Sequence, residues 1–216
     1  MITRYPKVLK SGSFMRLIAE NLGGERGGEL LFSGLDFTIS AGEALLVTGP
    51  NGSGKSTLLR IIAGLLSQVE GMLRLEGAPA AFEGLTAATH YLGHLNAMKP
   101  VLSVDENLHF WQSFNGRGQY SIAEALERVS LGEIGHLPFG YLSTGQKRRA
   151  SIARLLISDR PVWLLDEPTA GLDKVSETQF TGLMREHLTN GGIIIAATHL
   201  PLGLAGSKEL ALGVAA

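Results

Sequence analysis

The chain has 216 residues, 44% of them hydrophobic, a formal net charge of −1 and no cysteine. That is enough apolar material for one sizeable core and too much for a disordered chain, and the near-neutral balance argues against a broad nucleic-acid footprint. Without cysteine, disulfides, thiolate metal sites and cysteine-attached haem are excluded.

Residues 1–12 carry Arg4, Lys7 and Lys10 but no apolar segment of a signal peptide, and are expected to be a basic, solvated tail ahead of one domain over 13–216. Met15 to Asn21 reads as a first strand, and Gly23, Gly24, Gly27 and Gly28 as the turn after it. Leu35, Phe37 and Ile39 alternate with Asp36, Thr38 and Ser40, the pattern of a strand with one buried face. Ala44 to Val47 is a second apolar strand. A helix from the following loop to about Leu66 keeps Leu58, Ile61, Ile62 and Leu65 on one side. Gly71 to Glu76 reads as a short strand.

After Pro100 the pattern becomes helical. Ser103-x-x-Glu106 and Ser121-x-x-Glu124 have the form of capping boxes. They open helices that bury Val104, Leu108 and Trp111, then Ile122, Ala125, Leu126 and Val129. Residues 95–158 are therefore expected to be a helical insertion in an α/β core formed by 13–94 and 159–216. From Pro161 the βα alternation returns. Val162 to Leu165 is continuously apolar, as in a parallel strand covered on both faces. A helix from about Lys174 to Asn190 buries Phe180, Leu183, Met184 and Leu188 and stops at Gly191-Gly192. Ile193 to Ala197 is the next buried strand. Residues 200–216 suffice for one more. No apolar run approaches the roughly 20 residues of a spanning helix.

The stretch with the most specific chemistry is Gly49-Pro50-Asn51-Gly52-Ser53-Gly54-Lys55-Ser56-Thr57. It lies between a strand and a helix, the context a phosphate-binding loop needs. Glycines let backbone N–H groups turn inward around a polyphosphate, and the helix adds its positive end. Lys55 would reach the β- and γ-phosphates of ATP, and the Ser56 hydroxyl would ligate Mg²⁺. Asp166-Glu167 ends the strand Val162–Leu165. Asp166 is read as a ligand of the same metal, and Glu167 as the residue that polarises a water against the γ-phosphate. Leu142-Ser143-Thr144-Gly145-Gln146 fits an ordinary capped helix start, and equally a second anion site at a helix N-terminus.

Order along the chain separates those two readings. Phosphate loop, Leu-Ser-x-Gly-Gln, Asp-Glu, Gly171-Leu172-Asp173 and His199 at a strand end, in this sequence, resembles the ABC ATPase family over about residues 15 to 205. The resemblance implies an α/β fold of the P-loop NTPase class, with a RecA-like core, an antiparallel β subdomain and the inserted helical subdomain. It implies ATP hydrolysis in a dimer with a second copy of the chain, in which Leu142 to Gln146 act in trans on the nucleotide. Glu167 would be the general base, His199 a γ-phosphate contact, and Asp173 would lie at the dimer interface. Two departures stand out. Arg26 lies 29 residues before Lys55, where the family often stacks an aromatic ring on adenine. His94 lies 39 residues after Lys55, where a Gln usually couples the core to membrane partners.

Tyr91-Leu92-Gly93-His94, Lys99, Leu102 to Phe110, Gln146 to Arg149, and Thr198-His199-Leu200-Pro201-Leu202 resemble the ATPase subunit of cytochrome c maturation haem-export systems. The implied partners are integral membrane subunits, with no nucleic acid, and the implied place is peripheral, on the cytoplasmic face of the inner membrane. His90, His109, His136 and His187 are expected to be surface or packing residues. An ATPase for another exported substrate, such as a drug or lipid, is the alternative. A DNA-maintenance ATPase would need a long coiled coil, and only 110 residues lie between Lys55 and Asp166. A translation-factor-like protein would need two cassettes. A nucleotide-gated scaffold without turnover sits poorly with Glu167 and His199 together.

Overall fold

The computed structural model describes residues 14–213. They form two compact units, one of residues 14–93, Arg160–Pro168 and 184–213, the other of His94–Asp159 and Thr169–Leu183.

The first unit carries two sheets. β1 (Arg16–Arg26), β2 (Glu29–Ser40) and β4 (Glu70–Glu76) make an antiparallel sheet in the order β2-β1-β4. β1 runs past Asn21 to Arg26, so Gly23 and Gly24 lie within the strand and only Gly27-Gly28 turns the chain. Packing explains it: a Cβ at Gly24 would strike Phe32 and Ile61, and one at Gly23 would strike Glu70. The glycines let other elements approach the strand, and the pairing register shifts beside both of them, at Glu20/Gly23 against β4 and at Leu22/Gly24 and Gly24/Glu25 against β2.

The second sheet is parallel, in the order β5 (Thr89–Leu92), β6 (Val162–Asp166), β7 (Ile193–Ala197), β3 (Ala44–Thr48) and β8 (Lys208–Ala211). Every residue of β6 and β7 is buried, which explains their unbroken apolar runs. One face gives Leu45, Val47, Val162, Leu164, Ile193, Ile195 and Ala197 to a core shared with α1 (Lys55–Ile62) and with Leu17, Leu22 and Ile39 of the antiparallel sheet. α1 stops at Ile62, short of the expected Leu66. Gly64 takes φ +70, which closes the helix, and Leu65 is exposed rather than part of the buried stripe. On the other sheet face the Trp163 ring stacks on His187, with centroids 4.0 Å apart.

The second unit is helical. α2 (Val104–Asn115), α3 (Ile122–Arg128) and α4 (Thr144–Leu156) each begin with a complete capping box, at Ser103/Glu106, Ser121/Glu124 and Ser143/Gln146. The serine accepts the third backbone N–H and the acid or amide returns to the serine N–H, satisfying two otherwise orphaned donors. Trp111 donates to the Ala97 carbonyl at 2.8 Å while the Arg154 guanidinium lies over its ring at 4.6 Å. Burial holds Arg154 down to about 10, with Arg148 nearby adding to the shift. α5 (Lys174–Thr189) starts in this unit, where Asp173 accepts the Ser176 N–H at 2.8 Å, and continues into the first, where Met184 is buried and Leu188 only partly so.

Candidate nucleotide site

The loop Gly49–Gly54 leaves β3 and turns into α1. Gly49 holds φ +136 with the Leu212 carbonyl against the place a Cβ would occupy. Gly54, the residue before α1, is left-handed at φ +97 and faces Phe32. A side chain at either position meets both a backbone penalty and a clash. α1 differs from α2, α3 and α4 in having no side-chain cap, and like α4 it has no acid in its first turn. Its first N–H groups and its positive end are thus left for an outside anion. Ser53 Oγ is buried with no hydrogen-bond partner among the described residues, a second polar group in the loop awaiting a ligand.

Lys55 is buried, and its ammonium donates to the carbonyls of Gly49 at 2.7 Å and Pro50 at 2.8 Å. The loop therefore closes around a cation. Ser56 Oγ donates to Asp166 Oδ1 at 3.0 Å, joining the loop helix to the end of β6. An adjacent hydroxyl and carboxylate are hard oxygen donors, the set that Mg²⁺ prefers, so these two residues fit that ion.

Glu167 follows Asp166 in a left-handed conformation, φ +44, and its N–H donates to Ala197 at the tip of β7 at 2.9 Å. The reversal turns the Glu167 side chain away from that of Asp166. Its Oε1 lies 3.6 Å from His199 Nε2. The same imidazole nitrogen is 3.1 Å from Asn51 Oδ1. An amide oxygen only accepts, so this contact places the ring proton on Nε2. His199 is held by Thr198, whose N–H donates to Val47 at 3.3 Å and whose hydroxyl donates to the Leu200 carbonyl at 2.9 Å.

Lys55, Ser56, Asp166, Glu167, His199 and Asn51 thus come together at the C-terminal tips of β3, β6 and β7, the end of a parallel sheet where ligands bind. Arg26 is exposed at the end of β1. Ser143, Thr144, Gly145 and Gln146 open α4 in the helical unit, with Leu142 buried just before them. Ser143 Oγ accepts the Gln146 N–H at 3.3 Å, which leaves its hydroxyl hydrogen to donate elsewhere. The Asp173 carboxyl is held below its usual range by the Ser176 backbone N–H, so its visible part in this chain is to cap α5. His94 is exposed where the helical unit begins. The sequence reading gave Tyr91 no part in the site, yet its hydroxyl donates to Asp166 Oδ2 at 3.3 Å. No local pattern marks it, because the contact depends on β5 lying beside β6.

A glycine loop entering an uncapped helix, with its serine on a strand-end aspartate, defines a P-loop nucleotide-binding domain. The chain belongs to the ABC transporter family, whose model matches residues 32–170. It is 67% identical over 201 residues, 93% of this chain and 100% of the relative, to the cytochrome c biogenesis ATP-binding export protein CcmA of Mesorhizobium japonicum. It is 66% identical over 194 residues, 89% of each, to the protein of the same description from Brucella abortus. Among solved structures, an ATP-binding protein of Pyrococcus furiosus assigned to the ABC transporters superposes with a TM-score of 0.78 at 25% identity, covering 91% of this chain and 97% of that one. A dimeric post-hydrolysis ATP-binding cassette bound to ADP and Pi gives 0.77 at 24% identity, over 91% and 94%, and supports the fold.

Proposed function

We propose that this chain is the ATP-hydrolysing subunit of an ABC transporter that serves haem release or export in c-type cytochrome biogenesis. The observation that carries the ATPase part is the meeting of the phosphate loop, Ser56–Asp166 and Glu167–His199 at neighbouring strand tips. The biological part is supported by the 67% identity to a cytochrome c biogenesis export protein over nearly the whole chain.

ATP would enter with its phosphates against the N–H groups of Gly52 to Thr57 and its β- and γ-phosphates on the Lys55 ammonium. Ser56 and Asp166 would hold Mg²⁺, which when bound supplies positive charge to the phosphate oxygens. Glu167 would take a proton from the water that attacks the γ-phosphorus, while His199 hydrogen-bonds the γ-phosphate through its Nε2–H. The products are ADP and inorganic phosphate. Arg26 would stack on the adenine. Ser143 and Gly145 of a second copy would close over the γ-phosphate, with Asp173 at that interface. ATP then joins two copies, and release of phosphate parts them.

The membrane partner is supported by exposed apolar side chains on the helical unit. Leu95, Val101 and Phe114 are 80%, 84% and 74% exposed, and His94 is next to the first of them. Large apolar side chains left this exposed are candidates for a protein contact. Among the described residues no helix is long and apolar enough to cross a membrane, so attachment at the cytoplasmic face would come through those subunits.

The test is co-purification of the tagged chain from membranes with identification of its partners, beside ATP hydrolysis by wild type and Lys55→Ala. Recovery of cytochrome c maturation membrane subunits, with hydrolysis lost in Lys55→Ala, is the expected result. Recovery of an unrelated permease would overturn the haem-linked part and leave the ATPase. Equal hydrolysis by both proteins would overturn the site itself.

A further inference from the structure

Both oxygens of the Asp166 carboxylate are engaged. Oδ1 accepts from Ser56 at 3.0 Å and Oδ2 from the Tyr91 hydroxyl at 3.3 Å. Tyr91 belongs to β5, whose register sets it opposite Leu164 of β6. The Arg60 side chain, in the last turn of α1, lies near the same hydroxyl. A carboxylate can only accept. The hydroxyl therefore points its hydrogen at Asp166.

Gly93 supplies an independent observation. It is buried and its φ lies outside the left-handed region, so no turn requires glycine there. A Cβ at this position would stand 2.9 Å from Cε1 of the Tyr91 ring and 3.1 Å from its hydroxyl oxygen. The missing side chain makes room for that ring in that pose.

We infer that Tyr91 is a positioning residue for the metal-binding carboxylate: by holding Oδ2 it fixes the rotation of Asp166 so that Oδ1 faces Ser56 and the divalent cation, and Gly93 keeps the space in which it does so. This rests on the nucleotide-site reading above. A tyrosine that only packs would, when shortened to phenylalanine, change stability and leave the cation alone. A positioning tyrosine changes cation affinity and leaves the phosphate loop's own hold on nucleotide intact, because the Lys55 ammonium and the loop N–H groups would meet the phosphates directly.

The experiment uses the full chain as wild type, Tyr91→Phe, Gly93→Ala and the double variant. Mn²⁺ binding is read by electron paramagnetic resonance at saturating ADP, and ADP binding in EDTA by calorimetry. Each single variant is expected to bind Mn²⁺ roughly 10- to 100-fold more weakly, the range for one hydrogen bond to a charged group. Metal-free ADP affinity should be unchanged. The double variant should be no weaker than either single one, since both remove the same constraint. Gly93→Ala keeps the hydroxyl and crowds the ring; it is the variant to read if loss of the hydroxyl unfolds the protein. Unchanged or tighter Mn²⁺ binding in Tyr91→Phe, or an equal weakening of metal-free ADP, overturns the inference. Wild-type protein that binds no ADP under either condition overturns the proposed function, and the inference with it.

Discussion

Glu167 keeps a left-handed backbone that costs a non-glycine residue about 1 kcal/mol or more, and the Ala197 carbonyl holds it there. The turn sets the Asp166 carboxylate on Ser56 and that of Glu167 beside His199. Glu167→Gln keeps the shape and removes the proton acceptor. Hydrolysis should fall roughly 100-fold or more, while ATP binding persists and size-exclusion chromatography shows a dimer that lasts in ATP. Hydrolysis at the wild-type rate would end the general-base assignment. Asn51 fixes the Nε2–H tautomer of His199. Asn51→Ala should therefore slow turnover about tenfold with KM for ATP little changed, and a change confined to KM would contradict that. Most of these residues were legible because each lies in a contiguous stretch whose spacing encodes its geometry. Tyr91 was not, since its partner is 75 positions away and strand adjacency leaves no local trace.

At the scale of elements, the serine-led helix starts were readable because a capping box is complete within four residues. Ser121→Ala, far in sequence from the phosphate loop, should lower unfolding free energy by about 1 kcal/mol in urea titration, with nucleotide affinity unchanged; a loss of affinity would show that α3 has another task. The glycine-rich elements were harder. Gly23 and Gly24 look like a turn, but the strand runs on through them with shifted register while they clear space for Glu70, Phe32 and Ile61. Conformational freedom and lack of bulk give the same letter in a sequence, and only packing tells them apart. The length of α1 was misjudged for a related reason. Leu65 continues the apolar period, but Gly64 ends the helix before the period can place it.

For the molecule as a whole, His187 is one group that ties stability to pH. Burial of its ring pushes the imidazole down to about 4 from 6.5. Between these values the unfolded chain takes up a proton that the native state refuses. Stability therefore rises with pH through this window, and is lost as pH falls from 6.5 to 4, by up to about 1.4 kcal/mol per pH unit. The difference in urea midpoint between wild type and His187→Gln should narrow or reverse toward pH 4, and a constant difference would count against this histidine. The strand order carries a different lesson. Sequence separates the two halves of the site into loop and acid, but β7 lies between β3 and β6. Ala197 pairs with Val47 on one side and Asp166 on the other, and its carbonyl also anchors Glu167. A geneticist screening for loss of cytochrome maturation would therefore expect to recover alleles at Ala197 beside those at Lys55 and Glu167, from a residue whose side chain is a single methyl group.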